Sequence, residues 1–143
     1  MHRLPGTTIE VRDLFFNVPA RRKFLRSQDT ELAHVREMFI LEALSHPAIG
    51  MSLKVDGRET YRLAAGATLE DRVRDLFGPD YLKSLRPVSF EAAAMKVTGY
   101  VSLPTMSRSD RGEQFLFVNG RATSAPVLAF AIREGYRGLL ANE

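Results

Sequence analysis

The order of periodic segments along this 143-residue chain predicts an α+β domain with two layers, a mixed sheet and helices packed on it. Two patterns and one kind of punctuation carry that expectation. Apolar and polar residues alternate over residues 7–12, 51–55 and 95–103, as half-buried strands require. Apolar residues recur at helical spacing over residues 29–45 and 69–77. Proline, glycine and asparagine pairs stand between these runs.

The first strand is expected over residues 7–12, where Ile9 and Val11 alternate with Thr8, Glu10 and Arg12. Pro19 disfavours helix at Val18 and suits the first position of a short helical turn through Leu25. A helix from about Asp29 to Ser45 follows, with Asp29 or Thr30 as its cap. Its apolar face holds Leu32, Val35, Phe39 and Ala43, widened by Ile40, Leu41 and Leu44. Pro47 ends it. Met51, Leu53 and Val55 then lead to Asp56-Gly57, a hairpin-turn pair, and return through Tyr61 and Leu63. Thr68 to Asp71 has the form of a capping box with aspartate in place of glutamate, opening a helix through Leu69, Val73, Leu76 and Phe77. Gly78-Pro79 closes that helix. Val88 and Phe90 begin another strand region, continued by Met95, Val97, Val101 and Leu103. Residues 105–112 read as a mobile polar loop. The apolar residues 115–118 read as a strand buried on both faces, and Asn119-Gly120 as a turn. Ser124 and Pro126 start a last helix reaching about Leu140.

Hydrophobic residues make up 45% and charged residues 26%, so disorder over the whole length is not expected. The absence of cysteine excludes a disulfide scaffold, thiolate metal sites and cysteine nucleophiles. No apolar run approaches the roughly 20 residues of a membrane span, and the expected location is the cytoplasm. The net charge is +3, and all of that excess lies in residues 1–30, which hold six basic and three acidic groups. Sixteen of the 20 basic residues are arginine, whose planar fork suits phosphates and carboxylates.

Enzyme chemistry finds little support. His2, His34 and His46 lack metal-ligand spacing, and His34 reads as a surface partner of Glu31 and Glu37. Neither common glycine-rich phosphate loop is present. The paired acids Glu70-Asp71 suit a helix N-terminus, and Asp110 with Glu113 a solvated loop. Two segments stand out instead. Residues 13–26 set Arg21, Arg22, Lys23 and Arg26 beside three phenylalanines, which composition alone reads as a solvated basic turn with Phe24 in the core. Residues 115–121 read as a strand and tight turn with Arg121 exposed.

Together these segments resemble a known family. Gly6-Thr7-Thr8-Ile9-Glu10-Val11-Arg12-Asp13-Leu14-Phe15-Phe16-Asn17-Val18-Pro19-Ala20-Arg21-Arg22-Lys23-Phe24-Leu25 is similar to the signature following the ATPase domain of the MutL family of DNA mismatch repair proteins. Phe117-Val118-Asn119-Gly120-Arg121 is similar to a later strand-and-turn signature of the same family. The resemblance covers residues 4 to about 140. It implies that residues 1–143 are a single transducer domain of a longer chain, with the ATPase and C-terminal dimerisation domains outside it. The implied fold is that of the second domain of the fifth small-subunit ribosomal protein, a mixed sheet with helices on one side and a left-handed βαβ crossover. The implied role is to relay the nucleotide state of the ATPase domain and to contribute to DNA binding.

The resemblance further implies no cofactor in this fragment, with ATP and magnesium belonging to the ATPase domain. The family's nucleotide-contacting lysine loop lies beyond Glu143. Implied partners are DNA, bound weakly and without specificity, the ATPase domain of the same chain, mismatch-recognition and other repair proteins, and a second copy of the parent protein. The candidate DNA-contact residues are Arg21, Arg22, Lys23 and Arg26, then Lys96, with Arg108 and Arg111 on the polar loop. Asn17, Pro19, Asn119 and Arg121 are candidates for the interface with the ATPase domain. Two rival readings are a stand-alone ribosomal-type nucleic-acid-binding domain and a purely structural spacer.

Overall fold

The structure is a computed structural model that describes residues 5–106 and 114–139. The expected mobile loop falls mostly on residues 107–113, outside the described residues. The chain divides into two compact units, residues 1–36 and 37–143.

In the first unit the expected strand over residues 7–12 does not form. Ile9 and Val11 are 84% and 72% exposed. Alternation yields a strand only when a neighbouring strand takes up its backbone groups, and no described residue does so here. The contact that is present is local, from Arg12 Nε to the Glu10 carboxylate at 2.8 Å. Two tight turns follow, in which Phe16 N–H donates to the Asp13 carbonyl and Val18 N–H to that of Phe15. Val18 lies outside the helical region, at φ −131° and ψ 70°, and Pro19 then opens α1, Pro19–Arg22, at its first position. This agrees with the steric argument from proline.

Helix α2, Gln28–Ser45, begins as expected to within a residue, but its cap differs. Ser27, rather than Asp29 or Thr30, accepts the Thr30 N–H through its hydroxyl, at 3.4 Å. The Glu31 carboxylate takes the Arg26 N–H at 2.9 Å. Asp29 and Glu31 in the first turn suit the positive end of the helix.

The second unit is built from hairpins and helices. Strands β1, Met51–Val55, and β2, Arg58–Leu63, pair antiparallel across Asp56 and Gly57. Both turn residues have positive φ, 50° and 76°, the requirement that Asp-Gly meets in a two-residue hairpin. Phe39 of α2 stacks on Tyr61 at 5.3 Å. Helix α3, Leu69–Phe77, starts with the anticipated capping box, Thr68 and Asp71 satisfying each other's backbone N–H groups. Helix α4, Pro79–Lys83, leads to β3, Leu85–Ala92, which pairs with β4, Met95–Ser102. The 3-10 turn Pro104–Met106 follows. Strands β5, Phe117–Val118, and β6, Arg121–Ala122, form a minimal hairpin, and α5, Pro126–Gly135, comes last.

The α+β class is as expected. Every strand pairing among the described residues, however, is antiparallel and local, in three two-stranded sheets. The mixed sheet and left-handed crossover implied by the resemblance are not among these pairings. Two smaller expectations are corrected. Residues 115–118 are not buried on both faces, since β5 has two residues and Val118 is 50% exposed. Ala125, not Ser124, precedes α5 without a side-chain cap, and the helix ends at Gly135.

The core of this unit lies where α2 ends, β2 ends and α3 begins. Ala43, Leu44, Leu63 and Val73 are buried there, and so is Arg72, at 0% exposure. One guanidinium nitrogen of Arg72 donates to the carbonyls of Pro47, Ile49 (2.9 Å) and Ala64 (3.0 Å). The Tyr136 hydroxyl, directly after α5, donates to the Ser102 carbonyl, and Leu103 N–H donates to that of Ser84.

Replacing Arg72 by alanine takes the shared donor from three carbonyls and opens a void where a fully buried side chain stood. Arg72→Ala should therefore lower the unfolding free energy by about 3 kcal/mol or more in a urea titration. A loss below about 1 kcal/mol would show that the contact is dispensable. The Asp71 carboxyl is pulled down to about 2, first by the Thr68 hydroxyl, then by the Thr68 N–H and by Arg74. Its contribution is complete above the ordinary aspartate value near 4 and is lost as pH falls through about 2. An Asp71→Ala variant should show a flatter acid limb in a pH–stability profile, and an unchanged limb would contradict this.

Candidate nucleic-acid interface

The basic segment is assembled by Pro19. Because proline starts α1, Arg21 and Arg22 fall in its last turn, where cations suit the negative helix end, and Lys23 caps it. Arg26 follows directly before the Ser27 cap. All four side chains are exposed. None has a carboxylate partner among the described residues. Elsewhere, several cations are neutralised locally: Arg62 by Glu59 at 2.7 Å, Lys83 by Asp80 at 2.8 Å, Arg137 by Glu134 at 3.0 Å, and Arg74 by Asp71. No other stretch of described residues places four unpaired cations within six positions. Four like charges so close repel one another, and a polyanion relieves that repulsion while releasing its own counterions.

Apolar side chains lie among these charges. Phe16 and Phe24 are 79% and 83% exposed, and Leu14 is 58% exposed. The composition-based placement of Phe24 in the core is thus corrected. The expectation took it as the inward side chain of a helix, but α1 ends at Arg22, before it. Asn17 and Pro19, the interface candidates of this segment, are also exposed, in the turn and at the helix start.

The remaining candidates belong to the second unit. Lys96 is exposed on β4 and stands across the ladder from Glu91, which offsets part of its charge. Asn119 and Arg121 are exposed at the β5–β6 turn, with Asn119 at φ 50° and Gly120 at φ 75°. Arg108 and Arg111 lie outside the described residues. The sequence reading missed Arg72. Its position three residues after Leu69 and four before Leu76, inside the apolar stripe of α3, was the signal available.

The description "DNA mismatch repair protein, C-terminal domain" fits a family model that matches residues 73–143. The chain is 42% identical over 135 residues to DNA mismatch repair protein MutL of Syntrophomonas wolfei, covering 94% of this chain and 23% of that protein. Among solved structures, the MutL ATPase domain of Aquifex aeolicus complexed with ADP matches 87% of this chain and 46% of its own. It does so with a TM-score of 0.67 and 32% identity. The N-terminal domain of a DNA repair protein matches with a TM-score of 0.72 at 19% identity, covering 87% of this chain and 42% of its own, a likeness of fold. Fold and sequence therefore define a domain of the DNA mismatch repair proteins. Within that class the chain belongs to the MutL family. It spans roughly a fifth of the length of the curated relatives it matches.

If the basic segment is a surface for a ligand and not part of the packing, its removal leaves stability intact. Substituting Arg21, Arg22 and Lys23 by alanine, singly, should change the unfolding free energy by no more than about 0.5 kcal/mol each in chemical denaturation. A loss above about 2 kcal/mol at any of them would make that residue structural.

Proposed function

We propose that this chain is the transducer domain of a MutL-type protein, coupling the nucleotide state of an adjoining ATPase domain to DNA binding in mismatch repair. The observation that carries the reading is the run of four unpaired cations from Arg21 to Arg26, in a chain of the mismatch repair family. Phosphates are the ligand such a run accepts, and contacts of this kind position a protein on DNA without reading its bases. Lys96, with its cross-strand acid, is a secondary contact, and Arg108 and Arg111 are further candidates. Asn17, Pro19, Asn119 and Arg121 shape the surfaces that meet the ATPase domain. Mismatch-recognition proteins and a second copy of the parent protein are its further partners, in the cytoplasm.

On this reading the domain turns over no substrate itself. Nucleotide and magnesium belong, on the same reading, to the adjoining ATPase domain. No helix among the described residues is long and apolar enough to cross a membrane.

The isolated domain should bind duplex DNA with a dissociation constant on the order of 10⁻⁴ to 10⁻⁶ M, with slight sequence preference. In the full-length protein, replacing Arg21, Arg22, Lys23 and Arg26 by alanine should flatten the salt dependence of DNA binding by about one unit per lost contact. Fluorescence anisotropy titrations at several salt concentrations measure this. An unchanged slope would move the four residues from the DNA surface to the domain interface. Tight binding of RNA by the isolated domain would favour the ribosomal-type alternative instead.

A further inference from the structure

We propose that Asn119 is a site of spontaneous deamidation, a covalent modification that converts the β5–β6 turn from neutral to acidic. The chain has three asparagines, Asn17, Asn119 and Asn142, and only Asn119 precedes a glycine. The chemistry needs only water. The backbone nitrogen of Gly120 attacks Cγ of Asn119 and forms a new C–N bond. The bond from Cγ to the side-chain nitrogen breaks, and that nitrogen leaves as ammonia, its third proton supplied by the attacking amide. Water then opens the resulting five-membered imide at either carbonyl, giving aspartate or isoaspartate. One water is consumed, one ammonia is released, and nothing is oxidised or reduced.

The structure favours this position in three ways. Asn119 and Gly120 are both exposed in this chain, so water reaches them whenever the adjoining ATPase domain is not seated on the turn. Neither the Asn119 side-chain amide nor the Gly120 N–H is held by a hydrogen bond among the described residues, so electrophile and nucleophile are uncommitted. Glycine at the second position puts no Cβ in the path of ring closure, and at Gly120 the space around that position is open. Ring closure does require the turn to leave its left-handed geometry. The ladder holding it has two residue pairs, Phe117 with Ala122 and Val118 with Arg121, continued by one bond from Thr123 N–H to the Leu116 carbonyl at 2.9 Å. A two-stranded hairpin this short opens at little cost. The Asp56-Gly57 turn, by contrast, is held by five residue pairs.

The consequence is local and electrostatic. A carboxylate arises two residues from Arg121, offsetting the one cation of this hairpin. Isoaspartate also lengthens the backbone within a two-residue turn whose φ angles match the strand twist, and so unseats the pairing.

The test is incubation of the full-length protein at mildly alkaline pH in water labelled with heavy oxygen, followed by peptide mapping with mass spectrometry. Label should enter at position 119 as a mixture of aspartate and isoaspartate, at least about tenfold faster than at Asn17, whose neighbour is the β-branched Val18. An Asn119→Gln variant should take up no label there on the same timescale. Uptake no faster than at Asn17 would overturn the proposal. So would a product containing aspartate alone, which marks direct hydrolysis rather than attack by Gly120.

Discussion

A single guanidinium nitrogen organises the second unit. Arg72 Nη2 gathers the carbonyls of Pro47, Ile49 and Ala64, which belong to the end of α2, the approach to β1 and the exit from β2. The side chain is fully buried, and its other two nitrogens have no partner among the described residues. Its charge is met by carbonyl dipoles and by no carboxylate. Burying a charge in that way is costly, and breaking such an arrangement leaves still worse company for the groups that remain. Around it stand the unit's buried apolar residues, Ala43, Leu44, Leu63 and Val73. The α1–α2 segment has no equivalent hub. Its order comes from local devices: two turns, a proline start and the Ser27 cap.

This difference explains where sequence reasoning succeeded. Features decided within four residues of chain were legible: the Asp56-Gly57 turn, the Thr68–Asp71 capping box, the Pro19 helix start and the Asn119-Gly120 turn. Each depends on a φ restriction or a side-chain hydrogen bond that the residue carries with it. Features decided by partners far along the chain were not. The alternation of Ile9 and Val11 has the period of a strand but no ladder to join. Residues 115–118 have the composition of a central strand, yet only Phe117 and Val118 pair. Arg72 was not singled out, because its role rests on carbonyls 8 to 25 residues away along the chain.

The candidate interface was legible for a different reason. Arg21, Arg22 and Lys23 have no acid three or four residues to either side, so no partner at helical spacing competes for their charge. What composition could not give was exposure. Phe24 was expected in the core and instead lies open, as does Phe16. The interface is thus an unneutralised charge cluster with apolar surface inside it. In the second unit, by contrast, the cations are spread along the chain, and four of them are matched to Glu59, Asp71, Asp80 and Glu134. Charge distribution, more than net charge, separates the two.

On the proposed function, nucleic acid is met by the segment from Pro19 to Arg26. Hydrogen–deuterium exchange of the full-length protein, with and without duplex DNA at low salt, tests it directly. DNA should protect the amides of residues 20–26, and that protection should disappear when salt is raised. The amides of the β1–β2 hairpin, whose Arg62 is held by Glu59, should exchange at the same rate in both states. Protection of the hairpin with none at residues 20–26, under conditions where DNA is bound, would contradict the account.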